Sequence, residues 1–196
     1  MKLLHVDSSI LGEAAASRPI SAAIVKKLKG ANPAIEVTYR DLAANPLPHL
    51  TLAHMPSADN PTPEQSESQK ALDEFLAADI IVIGAPMYNF TIPSQLKAWI
   101  DRILIAGKTF RYSEKGAEGL AGDKRVIIAV SRGGLYGPGS PAAAAEHAES
   151  YLRAAFAFIG IANPEFIVAE GLKLGPEQFD VSVTRALQEA SELKAA

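Results

Sequence analysis

Ile80-Ile81-Val82-Ile83-Gly84-Ala85-Pro86-Met87-Tyr88-Asn89-Phe90 opens on four consecutive β-branched residues and ends in a loop with a proline and two aromatic rings. An uninterrupted apolar run of this length fits a strand covered on both faces, because a half-exposed strand would alternate apolar and polar residues. Val126-Ile127-Ile128-Ala129-Val130 is a second such run. Both belong at the centre of a sheet that is covered on each side.

The flanking sequence supplies the cover. Lys2 to Val6 reads as a strand, followed by a polar loop and a helical pattern with Ile20, Ile24 and Leu28 at four-residue spacing, closed by Gly30 and Asn32-Pro33. Ile35 to Tyr39 alternates as a second strand. Helical spacing recurs over Gln65 to Ala77, over Ser94 to Leu104 with Leu96, Ile100 and Ile103 on one face, over Ala142 to Ile159, and over Pro176 to Lys194 after a last strand at Phe166 to Ala169. Trp99 sits beside Ile100 as a core residue. Alternating strands and helices imply a parallel sheet with right-handed crossovers and helices on both faces. Five strands suit a doubly wound α/β sheet in the order 2-1-3-4-5 better than an eight-stranded barrel, so residues 1–196 form one domain.

Two stretches stand outside this alternation. Lys108 to Lys124 begins with Thr109-Phe110-Arg111-Tyr112 and turns near Glu114-Lys115-Gly116, the pattern of a small hairpin inserted before the fourth strand. Ala43 to Pro63 carries prolines at 46, 48, 56, 61 and 63, which exclude a helix and a central strand and leave a lid, a contact arm or a surface loop.

Composition narrows the function. With 48% hydrophobic and 21% charged residues the chain is globular, and Lys+Arg 19 against Asp+Glu 22 gives a net charge of −3. No basic run exceeds Lys26-Lys27, so nucleic acid is not an expected partner. The apolar run Ile80 to Tyr88 is less than half of a bilayer crossing, and His5 and Asp7 interrupt the apolar start, so neither a membrane span nor a signal peptide is expected. The absence of cysteine removes disulfides, thiol nucleophiles and iron–sulfur clusters and fits a cytoplasmic address. His5, His49, His54 and His147 show no ligand spacing, and no metal site is expected.

In a sheet of this order, ligands bind beyond the carboxyl ends of the strands where the order reverses. Three loops would meet there. Asp7 to Arg18 carries Ser8, Ser9 and Ser17, with Ser17 expected as the N-cap of the following helix and Pro19 in its first turn. Free N–H groups and the helix dipole favour an anion there by about 0.3–1 kcal/mol, and the hydroxyls of Ser9 and Ser17 suit a phosphate monoester. Ala85 to Pro93 is stiffened by two prolines and offers Met87, Tyr88, Asn89 and Phe90, an amide and apolar faces against which a flat heteroaromatic ring could lie. Ser131-Arg132-Gly133-Gly134 ends the fourth strand with paired glycines, which let main-chain N–H groups approach a ligand and stabilise negative charge on it. Taken singly, each loop also reads as plain structure: a helix cap, an aromatic plug over the core, a tight turn.

Other signals do not develop. Gly137-Pro138-Gly139-Ser140-Pro141-Ala142 spells a dinucleotide fingerprint but lies outside the first strand–helix turn, and its prolines lack the necessary donors, so it reads as a flexible surface loop. Ser131 lacks the first glycine of a hydrolase elbow, and Gly84-Ala85-Pro86 occupies the place of a receiver domain's phosphoacceptor acid. Glu170-Gly171 has no evident role.

At these loops the sequence resembles the FMN-dependent NADH-azoreductases, a branch of the flavodoxin-like NAD(P)H:quinone reductases. The matching pieces are Ser8-Ser9-Ile10-Leu11 with Ser17, Arg40 to Pro46, Ala85 to Phe90, Thr109 to Tyr112, Ser131 to Gly134, and Phe158-Ile159-Gly160-Ile161, in order along most of the chain. The resemblance implies a homodimer with one non-covalent FMN per subunit, reducing quinones and azo compounds with NADH or NADPH by a ping-pong route in which hydride passes through N5 of the flavin. It implies that Ser9, Ala15, Ala16 and Ser17 hold the phosphate and that Met87, Tyr88, Asn89, Phe90, Ser131, Arg132, Gly133 and Gly134 hold the ring. Phe90, Tyr112 and Phe158 would wall the substrate pocket, the latter two at the dimer interface. Ala15 stands where the family often has serine, which removes one hydroxyl from the phosphate site. The rival reading is a flavodoxin-like one-electron carrier with no organic substrate pocket; the aromatic hairpin and the modest charge argue against it. A partner-binding domain without redox turnover is a third.

Overall fold

The computed structural model describes residues 1–54 and 63–194. Five parallel strands, β1 (Lys2–Asp7), β2 (Glu36–Asp41), β3 (Ile80–Pro86), β6 (Arg125–Ser131) and β7 (Glu165–Ala169), form one sheet in the order β2-β1-β3-β6-β7. With the hairpin strands β4 (Phe110–Ser113) and β5 (Gly116–Gly119) set aside, this is the expected 2-1-3-4-5 order.

The continuous apolar runs are continuous because both faces of the sheet are covered. On one face Leu4, Val6, Ile81, Ile83, Ile128 and Val130 pack with Phe75, Leu96, Trp99, Leu152 and Phe156 from α2 (Pro63–Ala77), α3 (Ser94–Ile103) and α4 (Glu149–Phe158). On the other, Leu3, Ile80, Val82, Ile127 and Ala129 pack with Ile20, Ile24 and Leu28 of α1 (Ser17–Ala31) and with Ala186 and Ala190 of α5 (Pro176–Glu192). Side chains of one strand alternate between these two cores.

The structure corrects several expected boundaries. Ser17 is the first residue of α1 and not its N-cap; Ala16 precedes the helix and makes no side-chain cap bond. The helix expected over Ala142 to Ile159 is broken into a 3-10 turn at Ala143–Ala145 and α4, which starts only at Glu149. The cause is Glu146, whose carboxylate accepts the N–H groups of Ala148, Glu149 and Ser150 and so starts the helix there. Pro63 opens α2, where a missing N–H costs nothing. The remainder of the proline-rich stretch makes a 3-10 turn at Leu52–His54, and the expected lid or arm lies in part outside the described residues.

The hairpin is seated on α4. Phe110 lies 4.7 Å from Phe158 between ring centroids, and the Ala121 N–H donates to Ile159 O. Gly119 passes so close to Gly160 that a Cβ on it would stand 2.0 Å from the Gly160 nitrogen. Gly119→Ala should therefore unseat the hairpin and cost about 1–3 kcal/mol in urea unfolding, since the obstacle is backbone and cannot rotate away. An unchanged midpoint would show that the two backbones separate freely.

A cleft at the carboxyl edge of the sheet

The register places Asp7 beside Gly84, Pro86 beside Ser131, and Ser131 beside Ala169, so the loops after β1, β3, β6 and β7 leave the sheet along one edge. They surround a cleft of about 460 Å³ lined by Ser9, Ala15, Ala16, Met87, Tyr88, Asn89, Phe90, Ser131, Arg132 and Gly133, together with residues that the sequence did not single out.

The first loop is pinned at both ends. Ser8 Oγ donates to Gly84 O at 2.7 Å, which makes Ser8 a cross-link between strands, while Ser9 Oγ lies 2.9 Å from Tyr88 Oη and accepts the Leu11 N–H. Arg18 holds the loop from behind, donating to Ser9 O and to both carboxylate oxygens of Asp41. Ala15 is buried, and Ser17 Oγ is buried with no hydrogen-bond partner. Among the described residues the N–H groups of Ser9, Ala16 and Ser17 have no acceptor either. Unpaired donors gathered at a helix N-terminus are what an anion completes.

The second loop turns sharply. Tyr88 and Thr91 exchange main-chain hydrogen bonds of 2.9 and 3.1 Å, and the two residues between them, Asn89 and Phe90, have φ of 47° and 74°. Asn tolerates this left-handed backbone, whereas Phe does not, so Phe90 holds roughly 1–3 kcal/mol of strain. The turn is kept by Met87 N–H donating to Ser131 O at 2.7 Å, by His147 N–H donating to Phe90 O at 2.9 Å, and by buried Ile92. The result is an Asn89 amide with no partner among the described residues and a Phe90 ring that is 52% exposed, edge-on to Tyr136.

In the third loop the Gly133 and Gly134 N–H groups have no acceptor among the described residues, because their carbonyls, and not their nitrogens, bond Lys173 N–H and Gly171 N–H. The Arg132 side chain is not presented to the cleft as a free cation. It is 2% exposed, donates to Glu149, and lies within 3.7 Å of Glu146 and 3.6 Å of Glu170.

Of the remaining sequence-derived candidates, Ser17 and Gly134 lie immediately beside cleft-lining residues. Tyr112 and Phe158 do not line the cleft; they flank Phe110 at the hairpin, with Tyr112 74% exposed. Tyr136, Leu172, Lys173 and Phe179 line it and were missed. Leu172 and Lys173 follow the last strand by only a few residues, so the strand assignment alone would have placed them at this edge. Among the described residues no cluster of groups suited to a metal ion occurs, and no helix is long and apolar enough to cross a membrane.

Behind the first loop lies a polar network that runs from buried Asp7, Ser21 and His5 out to the exposed Tyr39. Asp7 accepts from Ser21 Oγ at 2.8 Å and from Tyr39 Oη at 3.1 Å, and Ser21 Oγ is 3.0 Å from His5 Nε2. Burial, with Asp7 adding to it, pushes the Tyr39 phenol up to about 12. The hydrogen bonds from Arg18, helped by the Ala44 and Ala43 N–H groups, hold the Asp41 carboxyl below the ordinary carboxylate range. A folded-state value below the unfolded one of about 3.9 gives stability that is complete above that pH and is lost as pH falls through the folded value. Asp41→Asn should therefore be less stable than the parent at pH 7, with a gap that narrows as pH falls below about 4 in urea titrations. A gap independent of pH would show that Asp41 contributes no charge.

A family model described as flavodoxin-like fold matches residues 1–193. The FMN-dependent NADH:quinone oxidoreductase of Methylorubrum populi is 63% identical over 203 aligned positions, covering 100% of each chain. Among solved structures, an azoreductase from Bacillus anthracis superimposes with a TM-score of 0.87 at 33% identity, covering 98% of this chain and 97% of that one. Azoreductase AzrA gives 0.87 at 32% identity with 98% of both chains covered.

Proposed function

Because this chain belongs to the flavodoxin-like fold family of FMN-dependent NADH:quinone oxidoreductases, we propose that its cleft binds FMN without a covalent bond and that it reduces quinones, and azo compounds, with NADH. The observation that carries the reading is the set of donors along the carboxyl edge with no partner among the described residues: buried Ser17 Oγ and the N–H groups of Ser9, Ala16 and Ser17 at one end, the Asn89 amide and the Gly133 and Gly134 N–H groups at the other. A flavin mononucleotide has a phosphate for the first set and a polar ring edge for the second.

Bound FMN supplies a ring that accepts hydride from the nicotinamide and passes it to the acceptor, so that NADH, a quinone and a proton become NAD⁺ and a hydroquinone. The chain does the rest by placement. Ser9, Ala15, Ala16 and Ser17 would hold the phosphate of FMN, and Met87, Tyr88, Asn89 and Phe90 together with Ser131, Arg132, Gly133 and Gly134 would hold its ring. Phe90 and Tyr136 exclude water from the face at which donor and acceptor stack. Donor and acceptor would take the same place in turn, which would make turnover ping-pong. Neutral N–H dipoles fixed before reaction stabilise the negative charge that the ring gains.

The working unit is a pair of chains in the cytoplasm, with Tyr112 and Phe158 walling the cleft of the partner copy. Support for the pairing comes from Tyr112, whose ring is 74% exposed and lies outside its own cleft.

The purified protein with FMN should be yellow and should oxidise NADH in the presence of benzoquinone, where a one-electron carrier would show little direct turnover. Ser17→Ala should weaken FMN about 5–10-fold and leave riboflavin, which lacks the phosphate, unchanged. Asn89→Ala should weaken both flavins, while Trp99→Phe, a change within the core, should affect neither by more than about twofold. A protein that stays colourless in excess FMN ends this reading.

A further inference from the structure

Gly133 to Gly137 leaves β6 with no strand or helix to fix it, and glycines at 133, 134 and 137 add freedom. Its carbonyls at Gly133 and Gly134 are tied to Lys173 and Gly171. Its N–H groups have one anchor among the described residues: a single oxygen, Oε2 of Glu170, accepts the Tyr136 N–H at 3.0 Å and the Gly137 N–H at 3.1 Å. The same oxygen lies 3.6 Å from an Arg132 guanidinium nitrogen. Tyr136 in turn sets its ring edge-on to Phe90, 6.3 Å between centroids, to close one wall of the cleft.

We propose that Glu170 is a positioning residue for the ring subsite, its carboxylate holding Tyr136 and Gly137 so that the Gly133 and Gly134 N–H groups face the ring and Tyr136 stays against Phe90. The inference rests on the FMN reading above. Glu170 does not itself line the cleft and acts through the backbone it holds. Charge on Arg132 is not the reason for its presence, because Glu149 already accepts from that guanidinium and Glu146 lies 3.7 Å away. Loss of Glu170 therefore leaves the buried arginine paired with Glu149 and near Glu146. What is lost is a carboxylate oxygen placed to accept two successive amides, which neither Glu146, occupied at the start of α4, nor Glu149, shared with Arg153, can supply.

The test separates geometry from charge. Glu170→Gln keeps an oxygen that can accept both N–H groups and removes the charge; Glu170→Asp keeps the charge and draws the oxygen back by one methylene. FMN and riboflavin titrations followed by flavin absorbance should give Glu170→Gln dissociation constants within about threefold of the parent. Glu170→Asp should be about tenfold weaker for both flavins alike. The ratio of riboflavin to FMN affinity, which reads the phosphate end, should not move in either variant. The absorption band of flavin bound to Glu170→Asp should shift towards that of free flavin, a change that a merely looser fold at matched saturation would not give. Glu170→Asp binding flavin as the parent does, or Glu170→Gln failing as badly as Glu170→Asp, overturns the proposal. Failure of the parent protein to bind either flavin instead overturns the reading of the cleft, and this inference with it.

Discussion

Helices cover both faces of this sheet, and that constraint decides where chemistry can occur. Leu4 and Val6 face one core while Leu3 faces the other, and the same division runs through β3 and β6. Within the sheet, the apolar side chains of the central strands are taken up by these two cores. What remains is the edge, where ladder hydrogen bonds stop and main-chain groups need new partners. At the carboxyl edge the Asp7 side chain lies over Gly84, where a Cβ would stand 2.2 Å from Asp7 Oδ1. The Asp7 side chain is accommodated there, although buried, because its oxygens accept hydrogen bonds from Ser21 Oγ and Tyr39 Oη.

Proximity alone would leave three mobile loops. They are made one surface by a few cross-bonds: Ser9 to Tyr88 between the first and second, Met87 to Ser131 between the second and third, and His147 to Phe90 from the far side. These bonds also hold Phe90 in a conformation that its own backbone disfavours. Strain maintained in this way is useful because the donors are aimed before a ligand arrives, and little ordering entropy remains to be lost on binding.

The parts legible in the sequence are those governed by local rules. β-branched runs, four-residue apolar spacing and proline or glycine breaks located every strand of the sheet and the hairpin, and the loops after β1, β3 and β6 followed from strand order. The errors have the opposite origin. Glu146 starts α4 by turning its side chain onto amides two to four residues ahead, against an alanine-rich segment that would otherwise continue as helix. Glu170 meets Tyr136 from 34 residues away, and no periodic signal connects them. Tyr136 and Phe179 line the cleft from segments that look like ordinary loop and ordinary helix. Tyr112 and Phe158 came from resemblance, and within one chain they form a cluster with Phe110 away from the cleft.

Arg132 shows why residue type at a binding edge is a poor guide to role. A cation beside a ring that becomes negative would be the obvious stabiliser, yet this guanidinium is surrounded by Glu146, Glu149 and Glu170 and is turned into the protein. Lys173 lines the cleft but is an exposed side chain at its rim. On the reading proposed above, negative charge in the cleft would be met mainly by the N–H dipoles of Gly133 and Gly134 and by the Asn89 amide. Dipoles of the main chain are weaker than an ammonium group, but they are fixed by the fold, do not seek bulk water, and keep their direction whether the ligand is neutral or charged. A site that would favour a reduced ring without trapping it is better built from such dipoles than from a full charge.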